Sequence, residues 1–416
     1  MDSRTCILEA FSFKESSRIP VDLSGHRSSG ISAVAYHKLR KYLGLPQHPV
    51  RIYDVVQQLA VIDEDVLDFF GVDTIELGRG FSLEKKDWME WVLPEGTACL
   101  IPSWVKPERK GRSWIIRSET GREISVMPEG ALYFEQTYFP FFERDDLQSL
   151  PDVLNDIMWN AVGCPPGPCV SGPSGKESLI RGARQLRERT ERAVLGLFGG
   201  SLMESGQFLY RNDRFLALLA EEPKKAHAFL DKMLEIHMAA LNEFIDATSP
   251  YIDIIVFGDD LGMQSGPLIS PVMYREFFKP RHARMWRLVK ERSPGIKVML
   301  HCCGGVREFL PDLIDAGLDA INPVQISCRG MEASGLKKDF GKDIVFWGGG
   351  CDTQYILPNG SPDEVSRHVK EQVRILRQGG GFVFQQVHNI LAGVPSRNIE
   401  TMFRTVRECG EKGEPL

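Results

Sequence analysis

Residues 296–305 have the sequence IKVMLHCCGG, a short apolar run that ends in a histidine, two cysteines and two glycines. The apolar run predicts a buried strand, and the glycines predict its end. Because side chains alternate along a strand, we expect His301 and Cys303 on one side and Cys302 on the other. An imidazole and a thiol side by side are suitable zinc ligands. The stretch therefore predicts a core strand with part of a metal site at its end.

Seven other apolar runs of similar length occur along the chain, mostly separated by helical patterns. Continuous apolar runs are typical of parallel strands that are buried on both faces. Eight strands alternating with helices predict a TIM (β/α)8 barrel, an α/β fold, as a single domain over residues 1–416. The predicted strands are Ile19–Leu23, Thr74–Gly78, Ala193–Gly200, Ile252–Gly258, Ile296–His301, Ala320–Val324, Ile344–Gly348 and Phe382–Val387.

Residues 88–142 depart from this alternation. Turn sequences separate short alternating runs there, and residues 113–117 and 123–127 are predicted to form a hairpin. We interpret the region as a β insertion after the second strand, which serves either as a lid or as an oligomer contact.

The composition is that of a soluble globular protein, with 43% hydrophobic and 25% charged residues. A net charge of -6 argues against a nucleic-acid partner. No apolar run approaches the roughly 20 residues of a membrane helix, and the first residues lack a signal-peptide core, so we expect a cytoplasmic protein without membrane contact. Nine thinly spread cysteines are not a disulfide framework. Cys164 and Cys169 flank a proline-rich segment that is predicted to be a loop.

Polar residues follow most of the predicted strands. In a TIM barrel the loops after the strands form one active-site face, so these residues are expected to converge. Ligands spread over separate strands are typical of a catalytic zinc site, because structural sites use closely spaced pairs. The residues at this face are Asp259 and Asp260 after the fourth strand, His301 and Cys303 after the fifth, Asn322 and Gln325 after the sixth, Cys351, Asp352 and Gln354 after the seventh, and His388 and Asn389 after the eighth.

We predict His301 and Cys303 as metal ligands, with His388 and Cys351 as candidates to complete the site. Each candidate also has a simpler interpretation. His388 would serve equally well to bind a substrate carboxylate, and Cys351 would fill space in a glycine-rich loop. Asp259 or Asp260 would cap a helix or hold a loop.

Several motifs together resemble the uroporphyrinogen decarboxylase superfamily over almost the whole chain. They are Arg18-Ile19-Pro20-Val21-Asp22, Gly258-Asp259-Asp260 with Gln264 and Gly266-Pro267, His301-Cys302-Cys303-Gly304, Asn322-Pro323-Val324-Gln325, Phe346 to Gln354, and Val394 to Asn398. The decarboxylases carry an arginine-rich segment after the first strand. At that position this chain has Asp22-Leu23-Ser24-Gly25-His26-Arg27, so most of the arginines that would bind substrate carboxylates are missing. The chain is more similar to the zinc-dependent, cobamide-linked methyltransferase branch.

That resemblance implies a zinc cofactor, a corrinoid presented by a partner protein, and a homodimer. The methyltransferase branch carries a further cysteine after the eighth strand, where this chain has His388. Either His388 replaces that thiolate, or Cys351 supplies it, or the site has lost its metal. The substrate-binding residues implied at the face are Asp22, Arg27, Asn322, Gln325, Asp352, Gln354 and Asn389.

Two reactions fit these residues. In the first, a small-molecule thiol bound to zinc exchanges a methyl group with a corrinoid, or a methoxy or methylamine compound donates the methyl group to the corrinoid. Asp259 and Asp260 would then orient the substrate or a ligand histidine. In the second, a lyase decarboxylates a small acid. There Arg18, Arg27 and His388 bind carboxylates, and Asp22 or Asp73 stabilises a developing cation. A barrel that only binds a corrinoid or a tetrapyrrole is the remaining alternative.

Overall fold

A parallel sheet of seven strands forms the centre of the fold. The computed structural model describes residues 1–143, 146–163 and 172–411. Each strand pairs with the next one along the chain, with register pairs such as Gly258 with His301 and His301 with Asn322. This order confirms the predicted α/β class. The strands are Thr74–Glu76, Ala193–Gly199, Ile254–Gly258, Lys297–His301, Ala320–Asn322, Val345–Trp347 and Phe382–Val383.

The first predicted strand contributes a single bridge rather than a regular strand. Val21 pairs in parallel with Phe384, and the Asp22 N–H donates to the Phe384 carbonyl at 2.8 Å. On the other side, the Asp73 N–H donates to the Val21 carbonyl at 2.8 Å. The segment around Val21 is therefore hydrogen-bonded next to both edge strands and connects the two edges of the sheet.

Helices connect the strands and cover the outside of the sheet. The side chain of Ser361 accepts the N–H of Glu364, whose carboxylate accepts the N–H of Ser361, so a capping box begins helix Pro362–Leu376. The α-helices are Ser3–Ala10, Ala33–Tyr42, Glu64–Phe70, Leu150–Val153, Met158–Ala161, Gly172–Glu188, Met203–Tyr210, Asn212–Glu221, Pro223–Thr248, Pro271–Met273, Lys279–Arg292, Leu310–Asp315, Ala333–Phe340, Ile356–Asn359, Pro362–Leu376 and Ser396–Glu411.

Two apolar cores lie on the two faces of the sheet. The larger one fills the space between the sheet and the helices. The smaller one lies on the inner face and includes Met299, Val345 and Trp347. Because strand side chains alternate, His301 faces the same side as Met299, two residues earlier. The inner core therefore forms an apolar floor below the residues at the carboxyl ends of the strands.

The region after the second barrel strand is more elaborate than a hairpin. Strands Ser113–Arg117 and Glu123–Met127 pair antiparallel, within a sheet that also contains Glu108–Lys110 and Glu135–Gln136. A second four-stranded sheet combines Trp88–Val92 and Ala98–Pro102 with Val50–Asp54 and Leu59–Ala60, which precede the second barrel strand. The sequence prediction missed this second sheet, because its pairing joins distant segments. The short strands Gly262–Met263 and Gly266–Pro267 form a further hairpin.

In the part of the chain that the structure describes, no helix has both the length and the apolar character needed to cross a bilayer. The predicted loop between Cys164 and Cys169 lies outside the described residues.

Candidate metal centre

Three side chains at the carboxyl ends of the barrel strands form a potential metal site. One ligand atom from each of His301, Cys303 and His388 lies within 4.8 Å of the other two. The Cys303 Sγ is 3.3 Å from His301 Nε2. Within the described ranges, these three are the group of histidine, cysteine and acidic side chains that is close enough to share an ion. A set of two imidazoles and one thiolate is a suitable donor set for zinc, with a fourth position left for a substrate.

The His301 ring is held in one orientation by Asn322. The Asn322 Oδ1 lies 2.7 Å from His301 Nδ1, and an amide oxygen only accepts, so Nδ1 carries the proton. The Asn322 amide nitrogen donates to the Trp347 carbonyl at 2.9 Å and to Gln385 Oε1 at 2.8 Å, which fixes the direction of the amide. His301 Nε2 is therefore left with a lone pair that faces Cys303, as a metal ligand requires.

Replacing Asn322 with alanine is expected to weaken zinc binding by roughly 10-fold to 100-fold, because the ligand imidazole loses the partner that sets its tautomer and orientation. Competition with a chelating zinc dye measures this change. Asn398→Ala is the matched control, since Asn398 is equally buried and its amide also donates two hydrogen bonds, to Leu357 and Gly360. Equal zinc affinity in the two variants would contradict the role assigned to Asn322.

The loop that carries Cys303 depends on a close approach of two glycines. Gly304 has a φ of +90°, and a Cβ there would lie 2.2 Å from the carbonyl carbon of Gly262. The Cys303 N–H donates to Asp260 Oδ1 at 2.7 Å, and the Gly304 N–H donates to Gln325 Oε1 at 2.9 Å. The predicted substrate residue Gln325 therefore holds this loop. Burial raises the pKa of the Cys303 thiol well above its usual value, so a nearby cation is needed to make it a thiolate.

His26, which is buried, and His388, which is half-buried, are neutral at physiological pH. Burial lowers the pKa of His388 to about 3, with a further contribution from the neighbouring His301 and His26. Burial also lowers the pKa of His26 to about 3. A neutral imidazole offers a lone pair, so His388 is suited to bind a metal. The hydroxyl of Ser28 also lies at this site, 3.1 Å from His301 Nε2.

The structure does not bring Cys351 to the metal group. Its side chain is fully buried in the larger core, between the sheet and the helices, and its Sγ is 3.8 Å from the Asp352 carbonyl. Burial raises the pKa of this thiol. The prediction of Cys351 as a ligand is therefore corrected in favour of its alternative, a small side chain that fills space.

Asp259 and Asp260 have different surroundings although they are adjacent. Asp259 is buried and accepts the backbone N–H groups of Leu202, Met203 and Glu204, at 2.8–3.2 Å. It also lies 3.0 Å from His282 Nε2. These partners engage both carboxylate oxygens and hold the start of helix Met203–Tyr210, so the geometry favours the alternative interpretation of Asp259, a structural role.

Asp260 remains available at the mouth of the barrel. Its side chain is 38% exposed, and its Oδ1 is 3.9 Å from His301 Nε2. It therefore stays a candidate for contact with a substrate.

Asp22, a predicted substrate residue, has its carboxylate satisfied inside the protein. It is fully buried and accepts hydrogen bonds from Thr74 Oγ1 at 2.6 Å and from Trp347 Nε1 at 2.7 Å. It also accepts the Gly25 N–H at 2.8 Å. Burial raises the pKa of Asp22. Asp22 therefore fixes the first loop rather than a substrate.

Asp352 and Asn389 likewise bond to the backbone. Asp352 Oδ1 accepts the N–H groups of Gln354, Tyr355 and Ile356 and thereby starts helix Ile356–Asn359. Asn389 Oδ1 accepts the Gly30 N–H at 2.7 Å.

Gln354, Arg27 and Gln325 are the predicted substrate residues that retain solvent contact. Gln354 is exposed on its loop. Arg27 is partly exposed, with its Nε 3.9 Å from Asp54 Oδ2.

The sequence analysis missed Glu204, His26 and Ser28, which follow the third and first strands. Glu204 is largely buried, and burial together with the carboxylates of Asp260 and Asp259 raises its pKa well above 4.5. The rule that located the other candidates, polar residues just after a strand, applies to these three as well. The predicted face consisted of residues after the fourth to eighth strands, whereas these three residues follow the first and third strands.

Comparisons with known proteins agree with the motif resemblance. The model of the uroporphyrinogen decarboxylase (URO-D) family matches residues 179–409, more than half of the chain. A methylated-thiol–coenzyme M methyltransferase of Methanosarcina mazei is 30% identical over 191 residues, 45% of this chain and 46% of the relative. A uroporphyrinogen decarboxylase of Synechocystis sp. is 25% identical over 192 residues, 46% of this chain and 50% of the relative. The chain thus spans about half the length of these curated relatives.

The whole architecture also has a counterpart among solved structures. A methyltransferase from Methanosarcina mazei matches with a TM-score of 0.57 and 16% identity, covering 98% of this chain and 99% of that chain. This likeness concerns the fold alone. The resemblance inferred from the motifs is confirmed, and the chain belongs to the uroporphyrinogen decarboxylase family.

Proposed function

We propose that the protein is a zinc-dependent methyltransferase that moves a methyl group between a corrinoid and a small thiol. The observation that carries this proposal is the convergence of His301, Cys303 and His388 within 4.8 Å of one another at the carboxyl ends of barrel strands. Sequence similarity to a methylated-thiol–coenzyme M methyltransferase supports the thiol as substrate. When the methyl group moves toward the corrinoid instead, its donor is a methylated thiol, a methoxy compound or a methylamine.

The residues of the chain supply the geometry of this reaction. A zinc ion held by the three side chains would act as the Lewis acid that keeps a substrate thiol deprotonated at neutral pH. Asn322 orients the His301 ring, and Asp260 and Gln325 hold the loop of Cys303 through backbone N–H groups. The apolar inner core below His301 excludes water from that side. The residues that would hold the ion thus leave the mouth of the barrel as the side on which a thiol would bind.

The corrinoid is proposed to reach this mouth on a partner protein, because a methyl group must approach the sulfur from the open side of the site. Arg27 and Gln354 retain exposed surface near the carboxyl ends of the strands and are suited to contact the incoming donor. A homodimer in the cytoplasm is the setting that the resemblance implies.

Decarboxylation of a small acid has less support as the alternative function. Arg18 forms two hydrogen bonds with Asp73, at 2.5 and 2.6 Å. Both residues precede their strands, so they lie at the end of the barrel opposite the metal group. Asp22 is enclosed by its own hydrogen bonds. These residues therefore do not form the carboxylate-binding site or the group that stabilises a cation, both of which the lyase reaction needs.

Zinc analysis of three purified proteins tests the proposal. We expect about one zinc per chain in the unmodified protein and in Cys351→Ala, and loss of most zinc in His388→Ala, because only His388 lies with His301 and Cys303. The zinc-loaded protein should transfer the methyl group of methylcobalamin to coenzyme M. A protein that binds no added zinc, or a zinc-loaded protein that transfers no methyl group to coenzyme M or to other small thiols, would contradict the proposal.

A further inference from the structure

A second cavity lies on the side of the barrel, apart from the metal group. Its volume is about 520 Å³, within the usual range for sites of small organic molecules. It lies between helix Glu64–Phe70, the segment after helix Gly172–Glu188, and strand Trp88–Val92. None of the residues that line it belongs to the metal group or contacts His301.

The charged residues of the cavity wall have a positive excess. Arg192 is paired with both Glu64 and Asp68, at 2.8 and 2.5 Å. Arg189 is exposed, and no acidic side chain of the described residues forms an ion pair with it. The basic side chains that line the cavity are Arg51, Arg79, Arg189 and Arg192, and the acidic ones are Glu64, Asp68 and Glu76. Arg51 is also paired, with Asp63 at 3.4 Å, and Arg79 Nη2 lies 3.8 Å from Glu64 Oε1, so Arg189 is the lining arginine best placed for an anionic ligand.

Glu76 is a buried carboxyl group in the wall. Its residue is only 6% exposed. Burial raises the pKa of Glu76 to about 7, with Arg27 and Arg79 lowering it and Asp54 raising it. Tyr53 faces it from strand Val50–Asp54. In its protonated form Glu76 is able to donate a hydrogen bond into the cavity.

The remaining walls are apolar. Ile75 and Leu186 are buried, and the rings of Phe81 and Trp88 are partly exposed to the cavity. Apolar walls with a few polar groups are the usual composition of a site for a small organic ligand. A compact inorganic ion would leave these walls in contact with water.

We propose that this lateral cavity binds a small organic anion with an apolar body, whose anionic group contacts Arg189 and Glu76 and whose body packs against Trp88 and Phe81. The ligand class follows from Arg189, the enclosed carboxyl group and the apolar walls together. The site is separate from the proposed methyl transfer and stands without it.

Fluorescence titration with 8-anilinonaphthalene-1-sulfonate, an aromatic anion, tests the proposal. We expect one binding site per chain, and roughly fivefold weaker binding in Arg189→Ala, because a charge-assisted contact is lost. Arg184→Ala is the matched control, since Arg184 is exposed on the preceding helix and does not line the cavity. The uncharged analogue N-phenyl-1-naphthylamine should bind more weakly. Equal binding of the two dyes, or the same affinity in both arginine variants, would overturn the proposal.

Two further measurements separate the cavity from nonspecific dye binding. A protonated Glu76 donates a hydrogen bond to an anion, whereas an ionised Glu76 repels it. The affinity for the dye should therefore fall as the pH rises from 6 to 8, and Glu76→Gln should remove that dependence. Octanoate should displace the dye, and inorganic phosphate at the same concentration should not. Displacement by phosphate but not by octanoate, or an unchanged pH dependence in Glu76→Gln, would also overturn the proposal.

Discussion

Replacing Cys303 with alanine is expected to remove the bound zinc and to lower the rate of methyl transfer by about 1000-fold or more. A Lewis acid contributes several kcal/mol to stabilising charge in a transition state, and roughly each 1.4 kcal/mol corresponds to a factor of ten in rate. Without the thiolate, two members of the group of three ligands remain, His301 and His388. Zinc content and the single-turnover rate of methyl transfer from methylcobalamin to a thiol are the two measurements.

Cys302→Ala is the control for this prediction. Cys302 is buried and adjacent in sequence, but its Sγ accepts the Leu261 N–H at 3.3 Å on the other side of the loop. This variant should keep its zinc and most of its activity. If Cys303→Ala retained both zinc and turnover, or if Cys302→Ala lost zinc to the same extent while remaining folded, the assigned ligand set would be wrong.

The strand order and the direction of His301 were predictable from the sequence, because both depend on local patterns. Continuous apolar runs located seven of the strands, and the two-residue alternation placed His301 and Cys303 together and Cys302 apart. The first predicted strand was located correctly as an apolar run. Its reduction to one bridge at Val21 reflects hydrogen bonding to residues that are distant in sequence.

The environment of each candidate was not predictable in the same way. Cys351 and His388 both follow a predicted strand, yet one thiol turns into the outer core and the other side chain faces His301. The difference arises in the path of the loop after the strand, and loops carry no periodic signal. Similarly, nothing in the sequence pair Asp259-Asp260 distinguishes the residue enclosed by helix N–H groups from the one that faces solvent.

Replacing Asp259 with alanine is expected to lower the free energy of unfolding by about 3–5 kcal/mol, the usual cost of removing one partner from a buried charged network. The N–H groups of Leu202, Met203 and Glu204 would lose their acceptor inside the protein. His282, which is also held by the Tyr274 hydroxyl at 3.3 Å, would lose its carboxylate partner. Urea denaturation of the metal-free proteins measures the change without a contribution from ion binding.

Asp260→Ala provides the matched comparison for Asp259, because the two residues are adjacent and carry the same side chain. Asp260 accepts one backbone N–H, from Cys303, and is partly exposed, so we expect a loss of only about 1 kcal/mol. The two variants should therefore distinguish a structural role from a catalytic one. Asp259→Ala should lose stability, whereas Asp260→Ala should remain stable and lose activity. A stable but inactive Asp259→Ala protein would instead support a catalytic role for Asp259. Removing a purely structural carboxylate would leave three helix N–H groups without their acceptor and would weaken the fold.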